Sequence, residues 1–398
     1  MSHRGFMGKK RGVDPCAYVP GLYTQAEVDD LINIDGYIPL ASAEEFDKIR
    51  TGNSETMGGC FIWAGNYTTG LDKKYIFIDD IDFDSFVGYT RLSGISGTIL
   101  GNHKEFRNLT VNNDCILSHS DVAPFPTLEG WRIRNYIQNG GIAVDGSRAG
   151  MFSQNRGITR DMIAIDCEIY GNSECGVFYS LTESGIVEKL LTMNCKVIGT
   201  GNAVGGAIGN ASGDCLIRQI FCKDTHVEGQ GFGTGGVIGN HANSVPPKEL
   251  ASTGLVKKNT GLANPRHTGG VIGGSATAGT RDLDDCWSAC RIEGAGINLG
   301  GLIGFNGGGN TVRNSFSYGF IDSSASSAGG LCGLNSGTIN NSYWDTDASG
   351  KASSSGGTGQ TTADLQTPTS NTGIYSAWDA AVWDFGTSTE YPKLINTP

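Results

Sequence analysis

The sequence predicts an all-β chain wound as a right-handed parallel β-helix, a solenoid with coils of about 30 residues. Three observations predict it. A glycine motif recurs at that step, a second column of small residues keeps the same step, and short apolar runs alternate with Gly, Asn, Ser and Thr.

The glycine motif comes first. Gly205-Gly206-Ala207-Ile208-Gly209-Asn210 is followed by Gly235-Gly236-Val237-Ile238-Gly239-Asn240 and Gly269-Gly270-Val271-Ile272-Gly273-Gly274. Gly300-Gly301-Leu302-Ile303-Gly304 and Gly329-Gly330-Leu331-Cys332-Gly333 continue it, and weaker copies begin at Gly150 and Gly176. The anchoring glycines stand at 150, 176, 206, 236, 270, 301 and 330, so the step stays between 26 and 34. A helical repeat is disfavoured, because a Gly pair in each unit costs roughly 2 kcal/mol of helix propensity. Stacked strands need no such sacrifice, since each pairs with its equivalent one coil away at about 4.8 Å. The glycines are expected at corners of positive φ.

The second column reads Cys167, Cys195, Cys222, Cys286, Ser315 and Ser342. Small side chains suit a narrow interior, so Cys167, Cys195 and Cys222 are expected to be buried, reduced and stacked. There are eleven Cys, an odd number, and no CxxC pair. No apolar leader follows the basic cluster near the start, which predicts synthesis in a cytoplasm without export.

Composition bounds the rest. The 398 residues include 61 Gly but only 17% charged residues, and the net charge is -11. An acidic surface repels phosphate backbones, so nucleic acid is not an expected partner. No apolar stretch is long enough to insert in a membrane.

The pattern Gly-Gly-Leu-Ile-Gly followed by Asn314-Ser315-Phe316-Ser317-Tyr318-Gly319 resembles the GLUG repeat of filamentous-haemagglutinin-like β-helix proteins. The opening residues Ile38 to Arg50, Lys74 to Phe83 and Gly94 to Asn102 resemble the first coils of that family. So do the closing elements Ser342-Tyr343-Trp344-Asp345, Gly359 to Leu365, Trp383 to Gly386 and Tyr391 to Leu394. The resemblance runs over roughly 36–398, with gaps near 116–148 and 241–268. It implies a β-helix with capped ends, and a surface or adhesive role for the group as a whole.

Four regions are therefore expected: an N-terminal anchor 1–35, opening coils 36–115, β-helix repeats 116–345 and a C-terminal capping module 346–398. The anchor holds Lys9, Lys10, Arg11 and Tyr18, then a short helix with Tyr23, Val28 and Leu31. Thr24 and Glu27 have the spacing of a capping box. Leu22 to Asp29 resembles a segment found near junctions in phage tail fibres. Trp378, Trp383, Phe385 and Tyr391 are expected to cover the last coil.

Chemistry is sparsely encoded. Asp79, Asp80, Asp82 and Asp84 form one acidic cluster, and Asp282, Asp284 and Asp285 another. Acid pairs on a solenoid can cleave polysaccharide, but these read as exterior and turn aspartates, so no catalytic residue is assigned. The six His show no zinc spacing and no calcium repeat occurs, so neither metal nor cofactor is expected. Segment 243–267 looks like a loop leaving the coil. Asn243, Pro246, Pro247, Lys248, Lys257, Lys258, Arg266 and His267 are its candidate binding residues. Asp121 to Arg134 also reads as irregular.

The expected function is attachment: a phage tail spike or fibre protein that binds cell-surface glycan or another receptor through the solenoid face and its loops. It would meet other virion proteins through its N-terminus and sit on the virion surface. The resemblance to β-helix spikes implies a homotrimer. The alternatives are a polysaccharide depolymerase on the same scaffold and a bacterial adhesin on the extracellular surface.

Overall fold

The computed structural model describes residues 23–50, 72–119, 123–140, 148–259, 266–275, 281–294, 296–322, 325 and 327–397. They form a β-solenoid of parallel strands with about 29 residues per turn. One central turn serves as the pattern. A long strand, Leu216–Gly229, is bent at Gln219 (φ 57) and Asp224 (φ 49). It thereby lays down three short faces, A (216–218), B (220–223) and C (225–229). Phe232–Gly235 is face D and Ile238–Asn243 is face E.

Both bends recur in register. Asp161, Lys189, Gln219, Glu249, Asp285, Asn314 and Asn341 occupy the A/B bend, all with positive φ. Asn108, Asn135, Asp166, Asn194 and Asp224 occupy the B/C bend, again with positive φ. Asn and Asp tolerate this left-handed region best because their side chains bond locally. The paired glycines of the repeat are not the positive-φ residues, contrary to expectation. They are required for closeness. A Cβ on Gly235 would lie 2.7 Å from Gly273 N, and one on Gly269 would lie 2.7 Å from Gly304 N. The first glycine of each motif thus rests on the last glycine of the next, pressing faces D and E together backbone to backbone.

The Cys column divides into three ladders. Cys167 stacks on Cys195, whose next partner is Thr225. Cys222 stands between Thr192 and Ser252, and that ladder continues through Ser288 and Ser317 to Trp344. Cys286, Ser315 and Ser342 follow Leu250 in a third. The A/B and B/C bends share one local grammar, an Asn or acidic residue followed by a small inward one, and spacing alone merges them. All nine described Cys are buried and free; Cys16 and Cys60 lie outside the described residues.

The ends and flanks are closed by separate devices. Helix α1 (Gln25–Asn33) has its capping box, Thr24 Oγ1 accepting from Glu27 N and Glu27 Oε2 from Thr24 N. Its Val28, with Tyr23 and Leu31, packs on Ile76 and Leu100 of face A. Further along, that same outward column becomes charged: Glu129, Arg160, Glu188, Arg218, Lys248, Asp284, Arg313. Arg160 meets Glu129 at 2.8 Å, Arg218 meets Glu188 at 2.6 Å and Arg313 meets Asp284 at 3.0 Å. Helix α2 (Ala43–Lys48) seats Phe46 against Phe77, Phe106 and Trp131 at the N-terminal end of the core.

The C-terminal module meets the last turn, Trp378 donating to Asn341 O and stacking on Tyr343 while Tyr391 donates to Asp345, and it extends beyond that turn. The last turn's edge is met by Ser354, whose Oγ accepts from Leu331 N and Cys332 N, and by Ser353 and Ser355. The aromatic residues also run along the side toward earlier turns. Trp378, Trp383, Phe385 and the half-buried Tyr391 cover Trp287, Phe316 and Tyr318 on the outside of face B. That face is a ready apolar seat, since Leu191, Phe221, Ala251, Trp287, Phe316 and Tyr343 stack outward in one column.

Candidate functional site

The segment predicted as a binding loop is mostly solenoid. Lys248–Lys258 is a strand in register with the turns on either side. Asn243 is buried, its Nδ2 donating to Cys215 O and Val245 O at 2.5 and 2.8 Å. Its amide holds the bend that leads into the next strand. Pro247 is buried beside it while Pro246 is half-exposed. Lys248 belongs to the face A charge column, and Lys257 reaches Glu228 on face C at 4.0 Å. The second irregular stretch is also regular from Thr127 onward, and Trp131 is wholly buried. Lys9, Lys10, Arg11 and Tyr18 lie outside the described residues.

In each acidic cluster an arginine holds two of the aspartates. Arg107 takes Asp82 at 2.8 Å, Glu105 at 2.8 Å and Asp80 at 3.2 Å. Arg313 takes Asp282 at 2.9 Å and Asp284 at 3.0 Å, while Asp285 accepts from Trp383. These carboxylates are braces between turns.

Three predicted residues, Lys258, Arg266 and His267, lie next to a cleft at another corner without lining it. Faces D and E diverge at the outer edge of their glycine contact, and an open cleft of about 460 Å³ lies there. Face D approaches through a third column of positive φ: Glu174, Ala203, Gly233, His267 and Asn298. Face E contributes Asn210, Asn240, Gly274, Phe305 and Leu334, one per turn. At one end Arg148 Nε meets Glu174 Oε2 at 2.5 Å. Glu174 Oε1 accepts from Asn210 Nδ2, and Asn210 Oδ1 accepts from Asn240 Nδ2, each at 3.0 Å. Asn202 and Phe232 complete the lining.

Toward the C-terminal end the amides give way to rings. Gly274 replaces the Asn, and a Cβ there would meet Phe232 and His267 at 3.3 to 3.5 Å. His267 lies 4.7 Å from Phe232, edge to face, and 4.7 Å from Phe305, stacked. Asn298 Nδ2 contacts His267 Nδ1 at 3.1 Å. Burial, then Lys258 and Arg266, push the His267 pKa down to about 4, so the ring is a neutral imidazole near pH 7. Beneath it Lys258 is buried, its ammonium donating to Gly231 O and to Thr234 Oγ1. Burial pulls its pKa down to about 7. Exposed Arg266 follows Phe232 by one turn in the same outward column.

No family model matches the chain. Among curated proteins, a provisionally named Gly-rich membrane protein of Evansella cellulosilytica is 38% identical over 100 residues. That stretch is 24% of this chain and 11% of the relative, so the chain spans about a tenth of the curated relative it matches. Among solved structures, a provisionally named immunoglobulin A1 protease from Bacteroides ovatus aligns over 92% of this chain and 94% of its own, with 14% identity and a TM-score of 0.43.

The groove residues Asn210 and Asn240 were visible as the residue trailing the glycine motif. Arg148, Glu174, Phe232 and Phe305 carried no such mark, because their meeting depends on which outward columns lie side by side. Among the described residues no group of three or more His, Cys, Asp or Glu is placed to hold a metal ion, and no helix is long and apolar enough to cross a membrane.

Proposed function

We propose that this chain is a surface-recognition solenoid that binds cell-surface glycan in the groove between faces D and E. The supporting observation is the composition of that groove: stacked amides of Asn210 and Asn240 beside the ring of Phe232. Amides exchange hydrogen bonds with hydroxyls, and an aromatic face suits the C–H side of a sugar ring. Binding without cleavage accords with Asp80 and Asp82 being engaged by Arg107, and Asp282 and Asp284 by Arg313.

The mount we propose is a phage tail spike or fibre, a homotrimer joined to other virion proteins through its N-terminal segment. The second reading is a bacterial surface adhesin. It is favoured by the 38%-identical stretch in a bacterial protein named for a membrane. A polysaccharide depolymerase is the reading the arginine braces speak against.

Binding of the purified chain to a glycan array tests the proposal. At least one glycan class should bind, and Asn210→Ala combined with Phe232→Ala should weaken it at least tenfold in a variant whose circular dichroism shows the solenoid still folded. Absence of any glycan binding, or full binding by the double variant, overturns the groove. Finding the protein in purified particles rather than in a cell-envelope fraction separates the two mounts.

A further inference from the structure

We infer that the groove selects an acidic glycan, one whose sugars carry carboxylates, and that Arg266 is the side chain that reads the charge. The inference rests on the glycan-binding reading above and adds the ligand's chemical class.

The charges in the groove do not balance. Arg148 is spent on Glu174, which also accepts from Asn210. Lys258 is buried beneath the floor, committed to Gly231 O and Thr234 Oγ1. Arg266 is left exposed at the ring end, and no ion pair engages it among the described residues. The carboxylate of Glu174 lies at the opposite end of the groove, three turns earlier in the corner column (Glu174, Ala203, Gly233, His267). The result is a local positive field on a chain whose net charge is -11.

Position turns that field into a reading site. Register puts Arg266 one turn from Phe232, about 4.8 Å along the axis, which is within the span of one sugar ring. A ring resting on Phe232 therefore holds its substituents against the guanidinium. A guanidinium grips a carboxylate with two parallel hydrogen bonds, stronger than those between neutral groups. His267, buried between Phe232 and Phe305, fixes the Phe232 ring in place and, being neutral, does not compete for the anion. The amide end, at Asn210 and Asn240, holds the hydroxyls of the next sugars.

The test uses uronate-containing oligosaccharides of several linkages, each beside its own methyl ester. Esterification removes the charge and keeps the chain. The full chain should bind at least one acid at least tenfold more tightly than its ester, and that ratio should shrink as salt rises. Arg266→Ala should bring the ratio close to one. Arg266→Lys should restore part of it, because charge returns without the paired geometry. Equal affinity for every acid and ester overturns the inference, as does a ratio unchanged in Arg266→Ala. If neutral glycans alone bind the array, the acidic class is wrong and the recognition reading survives. If no glycan binds at all, both fall.

Discussion

Trp383 donates its indole N–H to Asp285 Oδ1 at 3.0 Å, joining residues 98 apart in sequence. Asp285 occupies an A/B bend at φ 54, so the bond ties the C-terminal module to a corner of the solenoid. Trp383→Phe leaves an aromatic ring but removes one hydrogen bond from the half-buried carboxylate, whose other partner is Asn314, and should cost about 1 kcal/mol in urea unfolding. Removing residues 361–398 should do more. It uncovers Trp287, Phe316 and Tyr318, and should give a protein that binds hydrophobic dyes and self-associates. A truncated chain that stays monomeric and equally stable would show that the module contributes nothing to the fold.

The two kinds of special backbone position should respond oppositely to substitution. At Gly235 the obstacles are Ile238 O of its own turn and Gly273 N of the next, so Gly235→Ala must displace backbone and should cost more than ~3 kcal/mol or prevent folding. At Lys189 the obstacle is its own φ of 53. Lys189→Gly relieves that strain, and its effect should lie between neutral and about 1 kcal/mol stabilising. Thermal melts of the pair check both.

Lys258 makes stability depend on pH above neutrality. Its pKa is about 7 in the fold, against an ordinary 10.5. Between those values the unfolded chain holds a proton that the folded chain does not, so this group's contribution rises as pH climbs from 7 to 10.5. Below pH 7 the cost of a buried ammonium is fully present. Lys258→Met should therefore stabilise most near pH 6, and that gain should fall by a few kcal/mol by pH 10. Urea titrations at the two pH values give the answer.

On the acid side His241 and His267 act alike. Burial is the leading cause that lowers each to about 4 from 6.5, with Arg281 assisting for His241. Unfolding lets both take up protons as soon as pH drops below 6.5. Stability should fall from pH 6.5 to 4, by up to about 1.4 kcal/mol per unit for each ring. Replacing one of them, as in His241→Asn, should flatten that slope without altering stability's dependence on pH above 7.

The solenoid was legible because its cause is repeated in every turn. Gly235 must touch the next turn's backbone, as must Gly205 and Gly269, and a constraint imposed at each turn writes itself at a fixed spacing. The ladders were harder. Asp166-Cys167 and Asp285-Cys286 look alike in sequence yet belong to different bends, so spacing alone merged them. The groove was hardest. Arg148 reaches Glu174 from an outward column, and outward residues answer to neighbours that periodicity does not specify. Arg266 and His267 were selected inside a supposed loop. They come to lie beside the groove, one turn beyond Phe232, because residues 248–258 complete a turn and deliver face D to the same corner.

Trp344 closes the interior row that Cys222, Ser252, Ser288 and Ser317 fill below it. Its indole occupies the space a side chain on Gly330 would need. Equivalent glycines, at 206, 236, 270 and 301, face that row in the earlier turns. The tryptophan thus acts as a stop codon written in shape, readable at any turn whose motif supplies the same gap. Rod length is therefore a separable quantity. Whole turns can be duplicated or lost between Phe46 and Trp344 with both terminators intact, so the solenoid can be lengthened or shortened one turn at a time.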